Sequence, residues 1–170
     1  MRKGLCFVLV SLAVAAFFSC SKTENGVGVR DTDAAPSFVL STVKSDRISL
    51  DNYKGKVVMV EFFATWCPPC RTAAPEMESI YEKYRDKGFV VLAVSIDEGP
   101  TAVSAVSKFV KEFNITYPVL LDDGKASRQY QLISIPTSFI VDKQGKLRNK
   151  HIGLSPDFTE SVSKEIETLL

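Results

Sequence analysis

Histidine occurs once in the 170 residues, at His151, and cysteine four times, at Cys6, Cys20, Cys67 and Cys70. So few ligands argue against a structural zinc site, which takes about four. Arg71 follows Cys67-Pro68-Pro69-Cys70, so the histidine that completes a c-type haem attachment site is missing. No lysine and arginine block of the kind that grips nucleic acid is present, and the formal charge is +1. A charge-free apolar run covers residues 4–18, short of the roughly 20 residues that a membrane-spanning helix needs. There are no internal repeats and no low-complexity block. What is present is an ordinary globular composition, 45% hydrophobic and 24% charged, long enough for one cored domain plus extras.

The N-terminus reads as an export signal. Arg2 and Lys3 give a positive start, the apolar run follows, and Phe17-Phe18-Ser19-Cys20 leads into the polar SKTENG. A small residue directly before a cysteine, after an apolar run, resembles the lipobox of bacterial lipoproteins, although Phe17 and Phe18 stand where leucine and a small residue are commoner. That resemblance implies lipidation of Cys20, which becomes the new N-terminus. An uncleaved anchor and ordinary signal cleavage nearby are the alternatives. The expected organisation is a signal peptide at 1–19, a lipidated flexible tether at 20–35 and a folded domain at 36–170. Cys6 would leave with the signal and lipid would block Cys20, so only Cys67 and Cys70 would remain as thiols, in a setting where disulfides persist. The processed chain loses Arg2 and Lys3 and no acid, so lipid rather than charge would hold it at a membrane.

Hydrophobic periodicity places the elements. Residues 37–40 and 47–50 read as two short strands around a polar turn. Residues 57–64, VVMVEFFA, are nearly continuously apolar and rich in β-branched and aromatic side chains, as in a strand covered on both faces. Met77, Ile80, Tyr81 and Tyr84 mark a helix over 68–87, with Pro68 and Pro69 in its first turn, Pro75 inside it as an expected kink, and Gly88 at its end. A second buried-type strand covers 89–96. Val103, Val106, Val110 and Phe113 mark a helix over 101–113. A strand at 118–121, a short helix at 125–131 and strands at 137–141 and 147–152 follow. Ser155-Pro156 is expected to cap a last helix that carries Phe158, Val162, Ile166 and Leu169 on one face. This order implies an α/β sheet with helices on both faces, parallel right-handed crossovers early and an antiparallel hairpin late.

Cys67 follows a buried strand and opens a helix. Free backbone N–H groups and positive potential at a helix N-terminus favour a thiolate, the reactive form of cysteine. The spacing lets the second thiol attack a mixed disulfide formed on the first. Pro68 and Pro69 stiffen the loop and remove two N–H donors. The competing reading is a structural staple, but closing so short a loop contributes about 2 kcal/mol at best. Glu61 is a carboxylate inside a strand that is apolar on both faces, which is costly without a partner or a function.

Strand, Trp66-Cys67-Pro68-Pro69-Cys70, kinked helix, and Ile135-Pro136-Thr137 before a strand together resemble the thioredoxin fold. The first two strands, the long insertion at 95–115 and the lipoprotein-like signal are similar to the TlpA/ResA-type exported thiol–disulfide oxidoreductases, over roughly residues 36–170. The resemblance implies a three-layer α/β fold with a central mixed sheet, an extra N-terminal β-hairpin and a central strand–helix insertion. It implies Cys67 as nucleophile, Cys70 as resolving thiol, and Glu61, six residues before Cys67, as the buried acid that exchanges a proton with Cys70. Pro136 is expected to be cis and to face the cysteines, although X–Pro bonds at large are mostly trans. Ile135 would offer its backbone to an extended substrate, and Trp66, Pro68, Pro69, Ile135, Pro136 and Thr137 would form the substrate surface. Trp66 would cover the disulfide edge, with ordinary packing as its alternative. Ala73 stands where ResA-type proteins carry a glutamate, so a mechanism through that acid is not available. Arg71 is expected on solvated helix surface, and His151 in a structural or exposed place.

The function so implied is a membrane-tethered enzyme that reduces disulfides of exported proteins, with apocytochrome c thiols as one substrate class. It would need an electron-donating membrane partner, and it is expected to be a monomer without metal or cofactor. It would face the periplasm of a bacterial envelope, lipid-anchored to the inner or outer membrane. A disulfide donor, a peroxiredoxin-like peroxidase and a non-catalytic lipoprotein binding module are the other readings. Against the peroxidase, Thr65 lies only two residues before Cys67.

Overall fold

The computed structural model describes residues 34–170. The export and lipidation readings, with Cys6 and Cys20, lie outside the described residues. Among the described residues, seven strands and four α-helices follow in the order β1 (Val39–Thr42), β2 (Arg47–Ser49), β3 (Val57–Phe63), α1 (Pro68–Tyr84), β4 (Phe89–Ser95), α2 (Ala102–Glu112), β5 (Val119–Leu121), α3 (Ala126–Gln129), β6 (Thr137–Val141), β7 (Leu147–Ile152) and α4 (Phe158–Leu169). The strands form one mixed sheet in the order β2-β1-β5-β4-β3-β6-β7.

β3 and β4 are buried at every position and pair in parallel, from Val57 opposite Phe89 to Phe63 opposite Ser95. Their apolar runs are continuous because both faces are covered. Val57, Met59 and Phe63 face one core with α1, α2 and α4, whereas Val58, Val60 and Phe62 face another with α3, Phe38 and Leu50. Helices therefore lie on both faces, but unequally. The steps β3 to β4 and β4 to β5 move the same way across the sheet, so crossovers of one hand put α1 and α2 on the same side. The β5–α3–β6 connection returns on the other side, and its short helix shares that face with Tyr130, which packs 4.9 Å from Phe139 between ring centroids.

Several boundaries differ from the periodic reading. β1 runs two residues later than the periodic reading: it starts at Val39, opposite Ser49 of β2, and extends to Ser41 and Thr42, which pair with Leu121 and Leu120 of β5. Bonding also reaches ahead of residue 36: the Ala35 N–H donates to the Gly145 carbonyl at 2.9 Å, and Ala34 bridges to Lys146. α1 continues through Pro75 to Tyr84, then tightens into a 3-10 turn at Arg85–Lys87, and Gly88 closes it at φ 96°. Only glycine takes that left-handed conformation freely. Ser155 is not the cap of α4. Asp157 occupies that position, while the Ser155 side chain bonds to Asp157 and its carbonyl accepts from Phe158 N–H at 3.1 Å.

This topology brings three segments to one end of the sheet. The β3–α1 turn and the β4–α2 loop leave adjacent parallel strands. Beside them enters β6, whose Thr137 pairs with Phe62 on the other side of β3.

Candidate redox site

Cys67 is the N-cap of α1, with Pro68 and Pro69 as the first helical residues. Its Sγ accepts a hydrogen bond from the Cys70 N–H at 3.3 Å. Cys67 and Cys70 form a disulfide with their Cα atoms 5.3 Å apart. Both cysteines are buried, while Pro68, Pro69 and Trp66 are exposed. Trp66 is 66% exposed, which excludes ordinary packing.

The Ile135–Pro136 peptide is cis. The Ile135 carbonyl oxygen lies 3.9 Å from Cys67 Sγ. Gly153 N–H donates to the Pro136 carbonyl at 2.8 Å, so that end of the loop is tied to β7. Ile135 is half-buried and has no backbone partner among the described residues. Thr137 is buried and its hydroxyl donates to the Ser134 carbonyl at 2.8 Å, which puts it behind the loop rather than on its surface.

Strand alternation turns Glu61 to the α1 side of the sheet, with Met59 and Phe63. It is 4% exposed and has no hydrogen-bond or ion-pair partner among the described residues. It lines a small cavity with Phe63, Cys70, Ala74, Phe109 and Tyr117, too tight for a water molecule. Burial alone pushes its carboxyl up to about 8. Glu61 is thus neither solvent-facing nor in a salt bridge. A carboxyl that titrates near neutrality, in the same cavity as Cys70, can exchange a proton with that thiol. Tyr117 is pushed up as well, by burial and then by the charges of Glu61 and Glu78.

Two residues outside the expected set reach the cysteine loop. Asp97, in the loop after β4, accepts from the Thr65 N–H at 2.9 Å and from the Thr65 hydroxyl at 2.6 Å. Ser95 holds that carboxylate through its hydroxyl at 2.7 Å. Arg71 is not solvated helix surface. Its guanidinium donates to the Thr65 carbonyl at 3.4 Å, pairs with Glu112 and lies 5.0 Å from the Phe113 ring centroid. The only sequence signal for Asp97 is a polar residue just beyond the end of a buried strand parallel to the one that carries Cys67. His151 is structural, 3.0 Å from Glu165 and edge-on to Phe158. No three His, Cys, Asp or Glu side chains among the described residues converge on a metal position.

A cysteine pair capping a helix, faced by a cis-proline loop on a mixed sheet, defines a thiol–disulfide oxidoreductase of the thioredoxin fold. The chain belongs to the AhpC/TSA family, which matches residues 32–150. It is 33% identical over 158 residues to the thioredoxin-like protein YneN of Bacillus subtilis, covering 90% of this chain and 91% of that protein. To the thiol-disulfide oxidoreductase ResA of Bacillus thuringiensis it is 40% identical over 114 residues, which is 66% of this chain and 64% of that one. Among solved structures, a Chlorobium tepidum protein assigned as thiol:disulfide interchange protein DsbE aligns at 33% identity and a TM-score of 0.77. That alignment covers 84% of this chain and 99% of its counterpart. The resemblance to ResA-type proteins read from the sequence is met by these relatives.

Proposed function

We propose that the protein reduces disulfides in exported proteins by dithiol exchange, with Cys67 as nucleophile, Cys70 as resolving thiol and Glu61 as acceptor of the Cys70 proton. The observation that carries the direction is the start of α1. Its first two helical residues are prolines, so only the Cys70 N–H is aimed at Cys67 Sγ. A thiolate with few donors is weakly stabilised. The enzyme then favours its own disulfide and gives electrons away.

In the forward reaction the Cys67 thiolate attacks one sulfur of the substrate disulfide and expels the other as a thiolate. Cys70 passes its proton to Glu61 and attacks Cys67, which releases the second substrate sulfur. Two electrons have moved to the substrate and the enzyme is left as the Cys67–Cys70 disulfide. Trp66, Pro68, Pro69 and Ile135 form the docking surface, and an extended segment adds to the free backbone of Ile135 beside the cis-Pro136 turn. Thr137 supports that turn from behind.

A membrane electron donor would return the two electrons. The sequence pattern before Cys20 supports a lipid anchor and a periplasm-facing position at the inner or outer membrane. A disulfide between the haem-attachment cysteines of an apocytochrome c is one substrate class of suitable chemistry, its thiols being the product. Thr65 gives no support to a peroxidase, because its hydroxyl is held by Asp97.

The test is the reduction potential of the pair, by equilibration in redox buffers and thiol trapping. A value nearer about −270 mV than about −120 mV, the reducing and oxidising examples in this fold, is expected. A value at the oxidising end reverses the direction to disulfide donation. A pair that does not cycle returns the staple.

A further inference from the structure

The disulfide ties the active loop in only half of the proposed cycle. Once it is reduced, something else has to keep Cys67 facing the Ile135 carbonyl. The hydrogen bonds converge on Thr65, two residues earlier. Its N–H and hydroxyl are taken by the two oxygens of Asp97, at 2.9 and 2.6 Å, and its carbonyl by Arg71, the residue after Cys70. Asp97 is itself oriented by the Ser95 hydroxyl at 2.7 Å, and its own N–H donates back to that oxygen at 3.1 Å. Arg71 is anchored to Glu112 and to the Phe113 ring. The two residues that flank the loop are therefore joined to each other and fastened to the end of β4 and to α2. All three polar groups of Thr65 are spent on this, although the residue is only partly buried and could have bonded to water. Trp66, next in the chain, is largely exposed, so its position is inherited from its neighbours.

We propose that Asp97 is a positioning residue for the reductive step: through Thr65 it holds Trp66 and Cys67 in attack geometry when the Cys67–Cys70 bond is open. This rests on the dithiol-exchange reading. In the disulfide form the covalent tie does the same work, so the two half-reactions depend on Asp97 unequally. That inequality separates positioning from general support of the fold.

The experiment compares the wild-type chain with Asp97→Ala and Asp97→Asn. Oxidation of each dithiol form by insulin and reduction of each disulfide form by dithiothreitol are followed by stopped flow. Asp97→Ala slows the insulin step about tenfold and changes the dithiothreitol step less than twofold. Asp97→Asn, which keeps an acceptor for the Thr65 N–H but loses the charge, returns the insulin step to within about threefold of wild type. Equal losses in both half-reactions, no loss in either, or an asparagine variant as slow as alanine overturns the proposal. Because the chain has one tryptophan, Trp66, its fluorescence anisotropy decay gives a second reading that needs no activity. Faster indole motion in Asp97→Ala is expected in the dithiol form only. Equal motion in both forms also overturns the proposal. A wild-type protein inert towards insulin, with the anisotropy difference intact, defeats the functional reading and leaves the positioning role standing.

Discussion

Glu61 shows at the scale of one residue how a costly placement can serve chemistry. Its carboxyl is expected near 4.5 in the unfolded chain and is raised to about 8 by burial. Below about 4.5 both states hold the proton and pH has no effect. Between about 4.5 and 8 the folded state keeps a proton that the unfolded state has lost, so stability falls as pH rises, by roughly 1.4 kcal/mol per unit. Glu61→Gln removes that slope. The variant is expected to be more stable than wild type at pH 7 by on the order of 3 kcal/mol, with the gain shrinking towards pH 5. Urea unfolding of both proteins at the two pH values checks this, and a variant no more stable at pH 7 rejects it. The same variant lacks the carboxylate, the minor form of Glu61 at pH 7, that accepts the Cys70 proton. Release of substrate from the mixed disulfide should slow on the order of 10²-fold at pH 7, measured by quench and thiol trapping. A gain in stability with a loss in rate marks a group kept for function.

At the scale of the element, the start of α1 sets the poise of the pair. An N-cap side chain accepts from the second or third helical N–H. Here the second position is Pro69, which has none, and the third is Cys70. Pro69→Ala restores a donor without disturbing a residue that already tolerates helical angles. One added hydrogen bond to a thiolate is worth about 1.4 kcal/mol, or about 30 mV in a two-electron couple. The potential of Pro69→Ala is therefore expected to rise by about that amount, with a lower pKa for the Cys67 thiol, in redox-buffer titration and pH-dependent alkylation. A fall in potential would show that the prolines act by stiffening the loop instead. Much of this element was legible: the stripe of Met77, Ile80 and Tyr84, the prolines and Gly88 all fix it locally. Arg71 was not, because its partner Glu112 stands 41 residues away on α2, and neither residue carries a mark of the pairing in its own neighbourhood.

At the scale of the whole molecule, one sheet with a core on each face carries the stability, and the short disulfide loop adds little. Chain entropy allows the Cys67–Cys70 bond about 2 kcal/mol at best. Reduction by dithiothreitol should lower the unfolding free energy by no more than that, in urea curves of the two forms. A protein that gains stability on reduction would be a disulfide donor, since its dithiol form would then be the preferred one. The site itself is a product of this scale. β3 runs between β4 and β6, so Thr65, Asp97 and Ile135, which are distant in sequence, meet at one end of the sheet.

The sequence by itself determined the strands and helices that have strong periods, the redox pair at a helix start and the anomaly of Glu61, since each depends on residues a few positions apart. Tertiary structure alone decided which strand each edge would meet. It moved β1 two residues from the periodic reading, because pairing with β2 from Val39 and with β5 at Ser41 and Thr42 selects a register that alternation leaves open. It also gave Thr65 its partner: the bond to Asp97 exists only because β3 and β4 end side by side, and a hydrogen bond between loops has no period for a sequence to display.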